Sequence, residues 1–237
     1  MNTTLIARSN EGDKYLLFAK LDNAKILYNL AKSVNFKEHA VFCALDSGLK
    51  ISCEDAKSTQ GIAFVHTDLF QEYLIKEDCV CIKINLSVLI ECLNIFGSIA
   101  NSIPTALKIC YQGYGHPLTL LLEDNGIITE CNIKTMEADS LVNFEFDFDK
   151  IINKIIIKVD IPASSDYIES FDCKKTQVNR YKVNFIRNSL KALVSSTKVA
   201  IRITDSGVMG IQFLIPITEL SKMAFVEFYF CPDEEIE

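Results

Sequence analysis

Short β-rich runs separated by turn signals fill most of the sequence, and this constrains the fold more than any other feature. Residues 15–21 form one such run. Residues 38–45 and 49–54 flank Asp46-Ser47-Gly48, a hairpin signal. Runs at 61–66 and 79–84 follow. Residues 105–112, 117–123 and 126–133 read as a meander turned at Gly113-Tyr114-Gly115 and Asp124-Asn125-Gly126. Helical spacing is rarer. Leu27, Leu30, Ala31 and Val34 recur at i, i+3, i+4, i+7, which predicts a helix with Asp22 as its N-cap. A second helix is expected from Asn85, with Leu86, Leu89, Ile90 and Leu93 on one face.

The order of elements then repeats. Residues 136–142 are polar and acidic and read as a connector. Residues 144–148 alternate and 151–158 are strand-like. Lys83-Ile84-Asn85-Leu86 recurs as Lys182-Val183-Asn184-Phe185, each read as strand, Asn cap and helix. Residues 107–112 recur as 199–204, and the closing hairpin recurs as 210–217 and 224–230. A duplicated α+β domain is expected. The duplication is incomplete: about 65 residues separate the opening strand from the Lys-Ile-Asn-Leu segment in the first half, and about 30 in the second. One helix and about two strands are missing from the second copy.

Composition narrows the class. An apolar fraction of 49% over 237 residues suffices for a packed core. No apolar run reaches 18 residues, which argues against a membrane-spanning helix. Met1 to Asn10 lacks a secretory apolar stretch. Nine cysteines are scattered without a C-x-x-C and read as reduced thiols. Cys79 and Cys81 share one strand face and read as packing residues.

The net charge of −7 hides an asymmetry. No acid occurs from Cys173 to Thr204, whereas Lys174, Lys175, Arg180, Lys182, Arg187, Lys191, Lys198 and Arg202 are basic. Arg187 and Lys191 are four apart on a helix and share a face, with Leu190 and Leu193 expected to turn towards the sheet. Lys25, Asn29 and Lys32 lie opposite the apolar stripe of the first helix. Two helices with one buried and one cationic side suit phosphates read without regard to sequence. The helix at Asn85 offers no base there.

Catalytic constellations are absent. His39, His66 and His116 have no second ligand at metal spacing. No phosphate-loop or nucleophile-elbow motif occurs. Glu145, Asp147 and Asp149 share one strand face opposite Phe144, Phe146 and Phe148. They read as a solvated face or, in a nuclease, as Mg²⁺ ligands.

Four segments carry a resemblance. Asn85-Leu-Ser-Val-Leu-Ile-Glu-Cys-Leu-Asn-Ile-Phe-Gly97, Cys110-Tyr-Gln-Gly-Tyr-Gly-His-Pro117, Thr176-Gln-Val-Asn-Arg-Tyr181 and Phe225-Val-Glu-Phe-Tyr-Phe-Cys-Pro-Asp-Glu-Glu235 closely resemble the Rad-one-type subunit of the heterotrimeric nine-one-one checkpoint clamp. That family is similar to the replication sliding clamp. The resemblance implies an α+β sliding-clamp fold of two similar domains, with antiparallel sheets outside and helices lining a channel. Residues 1–134 would be the N-terminal domain, 135–143 the interdomain connecting loop and 144–237 a C-terminal domain incomplete near 157–158.

It further implies a non-catalytic nuclear subunit without a cofactor. Its partners would be two other clamp subunits, double-stranded DNA, a clamp loader and peptide motifs of repair and checkpoint proteins, with no membrane. Lys25, Lys32, Arg187 and Lys191 would face DNA. Phe64, Leu141, Leu214, Phe225, Tyr229 and Pro232 would line a partner-peptide groove. Leu118, Leu120 and Leu122 would lie on the first domain's edge strand and Val159 and Ile161 on the second's, forming the subunit joints. A 3′→5′ exonuclease and a homotrimeric replication clamp are the alternatives.

Overall fold

The computed structural model describes residues 14–97, 104–138, 169–170, 172, 175–217 and 221–233. Strand β1 (Leu17–Leu21) leads into helix α1 (Ala24–Ser33). Strands β2 (His39–Leu45), β3 (Gly48–Asp55), β4 (Thr59–His66), β5 (Glu72–Ile75) and β6 (Cys79–Asn85) precede helix α2 (Leu86–Leu93). Strands β7 (Ala106–Tyr111), β8 (Leu118–Asp124), β9 (Ile127–Ile133) and the short β10 (Thr135–Met136) complete the first half. The second half contributes helix α3 (Val183–Ser189), a 3₁₀ segment (Leu190–Ser195), and strands β11 (Lys198–Ile203), β12 (Met209–Ile217) and β13 (Lys222–Phe230).

Two antiparallel sheets result. One has the order β5-β1-β7-β8-β9. The other runs β10-β6-β2-β3-β4-β13-β12-β11 and joins the two halves where β4 pairs with β13. This architecture of antiparallel sheets and few helices is compatible with a clamp-type α+β fold.

Local chemistry explains the elements. Asn23, not Asp22, caps α1: its Oδ1 accepts the Lys25 amide at 3.0 Å. Asn85 caps α2 as expected, accepting from the Val88 amide at 3.1 Å. The parallel with the second half fails here. Lys182 precedes α3 without a side-chain cap, and Asn184 lies inside the helix. The β2–β3 turn forms at the expected place. Gly48 has φ +147°, and a Cβ there would meet the Val65 carbonyl oxygen at 2.2 Å, so glycine is required.

One face of the eight-stranded sheet is packed by the helices. From it Phe42, Ile51, Val65, Phe213, Val226, Phe228 and Phe230 enter the core. Leu27, Leu30, Ala31 and Val34 of α1 and the segment after it are fully buried against them. Burying each of Leu27, Leu30 and Val34 stabilises the fold by about 1.5–3 kcal/mol relative to exposure. The helix register changes at Leu190, where α3 tightens into the 3₁₀ segment. Ser189 and Ala192 become the buried positions, and Leu190 and Leu193 stay 48% and 46% exposed rather than turning inward.

Candidate nucleic-acid and partner interfaces

The four cations expected to face DNA are all exposed on the helical side. Lys25 and Lys32 project from α1 opposite its buried stripe. Arg187 projects from α3, and Lys191 from the 3₁₀ segment, which packs against α1. Lys191 Nζ donates to the Asn35 carbonyl at 2.6 Å, just past the end of α1. An ammonium at a helix C-terminus offsets the helix dipole, so this lysine also ties the two halves together. Lys32 Nζ donates to Tyr28 Oη at 3.2 Å. Lys25 and Arg187 form no ion pair among the described residues. The rest of the basic run is less uniform than its sequence. Lys182 pairs with Asp233 at 3.4 Å, and Lys198 with Glu169 at 2.8 Å.

On the opposite face of the same sheet, strand register builds an apolar row. Leu214 pairs with Phe225, and Phe225 with Phe64, on neighbouring strands β12, β13 and β4. Directly paired residues project to the same side. The Phe64 and Phe225 rings stack with centroids 5.2 Å apart. All three side chains are half-buried, as are Tyr229 and Pro232. Tyr229 donates its hydroxyl to Glu227 at 2.9 Å, and burial followed by the Glu227 carboxylate pushes its pKa up. Leu141 lies outside the described residues.

The row continues beyond what periodicity revealed. Lys50 pairs with Phe64, Cys43 with Lys50, and Cys81 with Cys43. Cys43 and Cys81 are joined as a disulfide, which corrects the reading of nine reduced thiols. Register is the reason: a sequence separation of 38 conceals that β2 and β6 place them opposite one another. Cys79 and Cys81 are exposed rather than packed inside.

The edge-strand expectation for β8 is overturned. Strand β8 is hydrogen-bonded on both sides, to β7 and β9, and Leu118, Leu120 and Leu122 are fully buried. The edge position implied by the family resemblance does not hold, and the period-2 alternation of these leucines is the inward half of an interior strand. Among the described residues the edges of this sheet are β5 and β9, and on β9 Ile127 and Ile128 are 62% and 51% exposed. Among the described residues, β11 is an edge of the larger sheet, with Val199 and Ile201 exposed. Val159 and Ile161 lie outside the described residues, as do Glu145, Asp147 and Asp149. The group of potential metal ligands among the described residues is Cys43, Cys79 and Cys81, without a carboxylate. No described helix is long and apolar enough to cross a membrane.

One antiparallel sheet thus carries exposed cations on its helical side and a half-buried apolar row on the other. Comparison with known proteins gives it a lineage. The family model described as "Repair protein Rad1/Rec1/Rad17" matches residues 16–161 and 157–215. The mouse protein named "Cell cycle checkpoint protein RAD1" is 38% identical over 268 aligned positions, covering 95% of each chain. The human protein of the same name is 38% identical over 271 positions, covering 96% of this chain and 95% of its own. "DNA repair exonuclease REC1" of Mycosarcoma maydis is 30% identical over 86 residues, covering 36% of this chain and 18% of its own. The chain belongs to the Rad1 family of checkpoint and repair proteins.

Proposed function

We propose that the chain is a non-catalytic subunit of a heterotrimeric checkpoint clamp that encircles duplex DNA in the nucleus and recruits damage-signalling and repair factors. Family membership supports the checkpoint and repair role. The observation that carries the finer reading is the division of one sheet into two faces. Lys25, Lys32, Arg187 and Lys191 crowd the helical side, and the Leu214–Phe225–Phe64 row lies on the other. Such cations give salt-dependent phosphate contact without sequence preference, and a closed ring needs no tighter site because topology prevents dissociation.

The apolar row, with Tyr229 and Pro232 near it, is the groove for partner peptides. Connecting segment 135–143 starts at the far end of the same sheet: Thr135 and Met136 pair with Ile84 and Lys83, and strands β6, β2 and β3 separate them from Phe64 on β4. Subunit joints form by strand addition, which needs unpaired backbone groups at a sheet margin. β9 with Ile127 and Ile128 offers them in the first half. The chain lacks a piece of the second domain that its relatives have. The mouse and human alignments, 268 and 271 positions, exceed the chain's 237 residues, and the family match breaks into two overlapping spans at 157–161.

The exonuclease alternative draws on the name of the REC1 relative, whose match covers 36% of this chain. It requires the Glu145, Asp147 and Asp149 carboxylates to act, and their alanine variants decide it: retained cleavage removes them as the catalytic group. The clamp reading is tested by loading the chain, together with its two partner subunits and the loader, onto nicked circular DNA. Retention on the circle and release on linearisation support it. Equal retention on both forms overturns it.

A further inference from the structure

Three cysteine sulfurs of β2 and β6 lie within 4.8 Å of one another on the sheet face opposite the helices. Cys81 is the central sulfur. It is bonded to Cys43 across the strands, and the Cys79 sulfur stands 3.1 Å from it along β6. Cys79 and Cys81 are exposed, whereas Cys43 is 8% exposed. Cys53, Cys92 and Cys131 remain thiols, so the fold is not built on a disulfide framework. A single disulfide beside a third, accessible thiol is the arrangement thiol–disulfide exchange requires, because the attacking thiolate must reach one sulfur of the bond.

We infer that Cys43, Cys79 and Cys81 form a peroxide-responsive thiol site, in which Cys79 takes up the oxidation and passes it through Cys81 to the Cys43–Cys81 disulfide. In the reduced chain, the Cys79 thiolate attacks the outer oxygen of a peroxide. The O–O bond breaks, Cys79 becomes a sulfenic acid, and the alkoxide or hydroxide leaves as alcohol or water after taking a proton. The Cys81 thiolate then displaces the sulfenic hydroxyl, which departs as water, and a Cys79–Cys81 bond forms. The Cys43 thiolate attacks the Cys81 sulfur and expels the Cys79 thiolate. The net change is oxidation of two thiols to one disulfide, with one peroxide reduced, and Cys79 regenerated.

Geometry sets the direction of the last step. Residues two apart on a strand have Cα atoms about 6.6 Å apart, close to the upper limit of about 6.8 Å for a disulfide. The Cys43 and Cys81 Cα atoms are 4.1 Å apart. The separation along β6 sits near the upper end of the usual range and the cross-strand one just below its lower end of about 4.4 Å, so distance does not choose between the two bonds; only the cross-strand pair has its side chains directly opposed. The bond along β6 is therefore the transient one and the cross-strand bond the resting one. Cys79 is a relay group rather than a member of the resting disulfide.

The test uses the full chain, reduced and freed of reductant, treated with hydrogen peroxide and quenched by alkylation at intervals. Mass spectrometry of the digest is expected to show the Cys43–Cys81 linked peptide accumulating before any other pair. Cys79→Ser and Cys79→Ala, which leave both bonded cysteines in place, are expected to slow that step by about tenfold or more at unchanged melting temperature. In Cys81→Ser, which removes the receiving sulfur, a sulfenic-acid probe is expected to label Cys79. Formation of the disulfide at the wild-type rate in both Cys79 variants overturns the inference. So does stoichiometric Zn²⁺ uptake by the reduced chain that protects all three thiols from peroxide, because the cluster is then a metal site.

Discussion

The Phe64 and Phe225 rings lie 5.2 Å apart at an interplanar angle of 20°, one from each half of the chain. Their strands are the seam at which the eight-stranded sheet passes from first-half to second-half residues. The pair therefore has two roles, holding the halves together and forming the middle of the proposed groove. Phe64→Ala and Phe225→Ala are each expected to lower stability, with a double-mutant coupling of about 0.5–1.5 kcal/mol. Denaturant unfolding of the four variants measures it. Leu214→Ser, at the groove's flank, is expected to weaken peptide capture with a smaller stability loss, read by binding of clamp-interacting peptides to the assembled complex.

Removing cations from the helical face separates two kinds of lysine. Lys25→Ala and Arg187→Ala are expected to weaken DNA binding by the assembled ring on all sequences alike. For every phosphate that is no longer neutralised, the slope of log K against log salt falls in magnitude by about 0.9. Lys191→Ala is expected to lose DNA affinity and, in addition, about 0.3–1 kcal/mol of stability, because its ammonium caps the end of α1 at Asn35. Salt-titrated binding and thermal melts of the same three variants distinguish these effects.

Edge and interior strands respond oppositely to substitution. Ile127→Lys and Ile128→Lys, on the exposed edge β9, are expected to block assembly with partner subunits while the isolated chain keeps its melting temperature. Leu120→Ala, on β8, is expected to destabilise the chain by about 2–5 kcal/mol through the cavity it leaves. Co-purification and melting curves read the two outcomes.

Cys92 of α2 titrates late. Burial, then the neighbouring Cys131 thiol, pushes its pKa from 9.0 to about 11. Its neutral form is therefore favoured in the folded chain. That contribution to stability is complete below pH 9 and is lost as pH rises from 9 towards 11. Alkylation of Cys92 is expected to rise with pH through about 11 rather than 9, and Cys131→Ser to shift the rise downward. Rates of iodoacetamide labelling across that range test both.

Much of the fold was legible because its signals are local. Period-2 runs located β2, β3, β4, β6 to β9 and β11 to β13, and the Asn85 cap located α2. The short β5 carried too few residues to show a period, and Asp22 masked Asn23 as the cap by one position. Pairing was illegible. Nothing local in Leu118 to Leu122 tells an interior strand from an edge, since both alternate, and only the presence of β9 beyond β8 decides. The same holds for Cys43 and Cys81, brought together by register across a sequence separation of 38. The cationic positions were readable from helical spacing, whereas the engagement of Lys191 with α1 needed the tertiary packing of the two halves.

The central claim is that this chain is one third of a ring made with two different subunits. Native mass spectrometry of the chain, alone and after mixing with the two other checkpoint-clamp subunits, tests it most directly. The account predicts a monomer or small aggregate alone and a single one-to-one-to-one complex in the mixture. A stable homotrimer of the isolated chain, unchanged when the other two subunits are added, would contradict it.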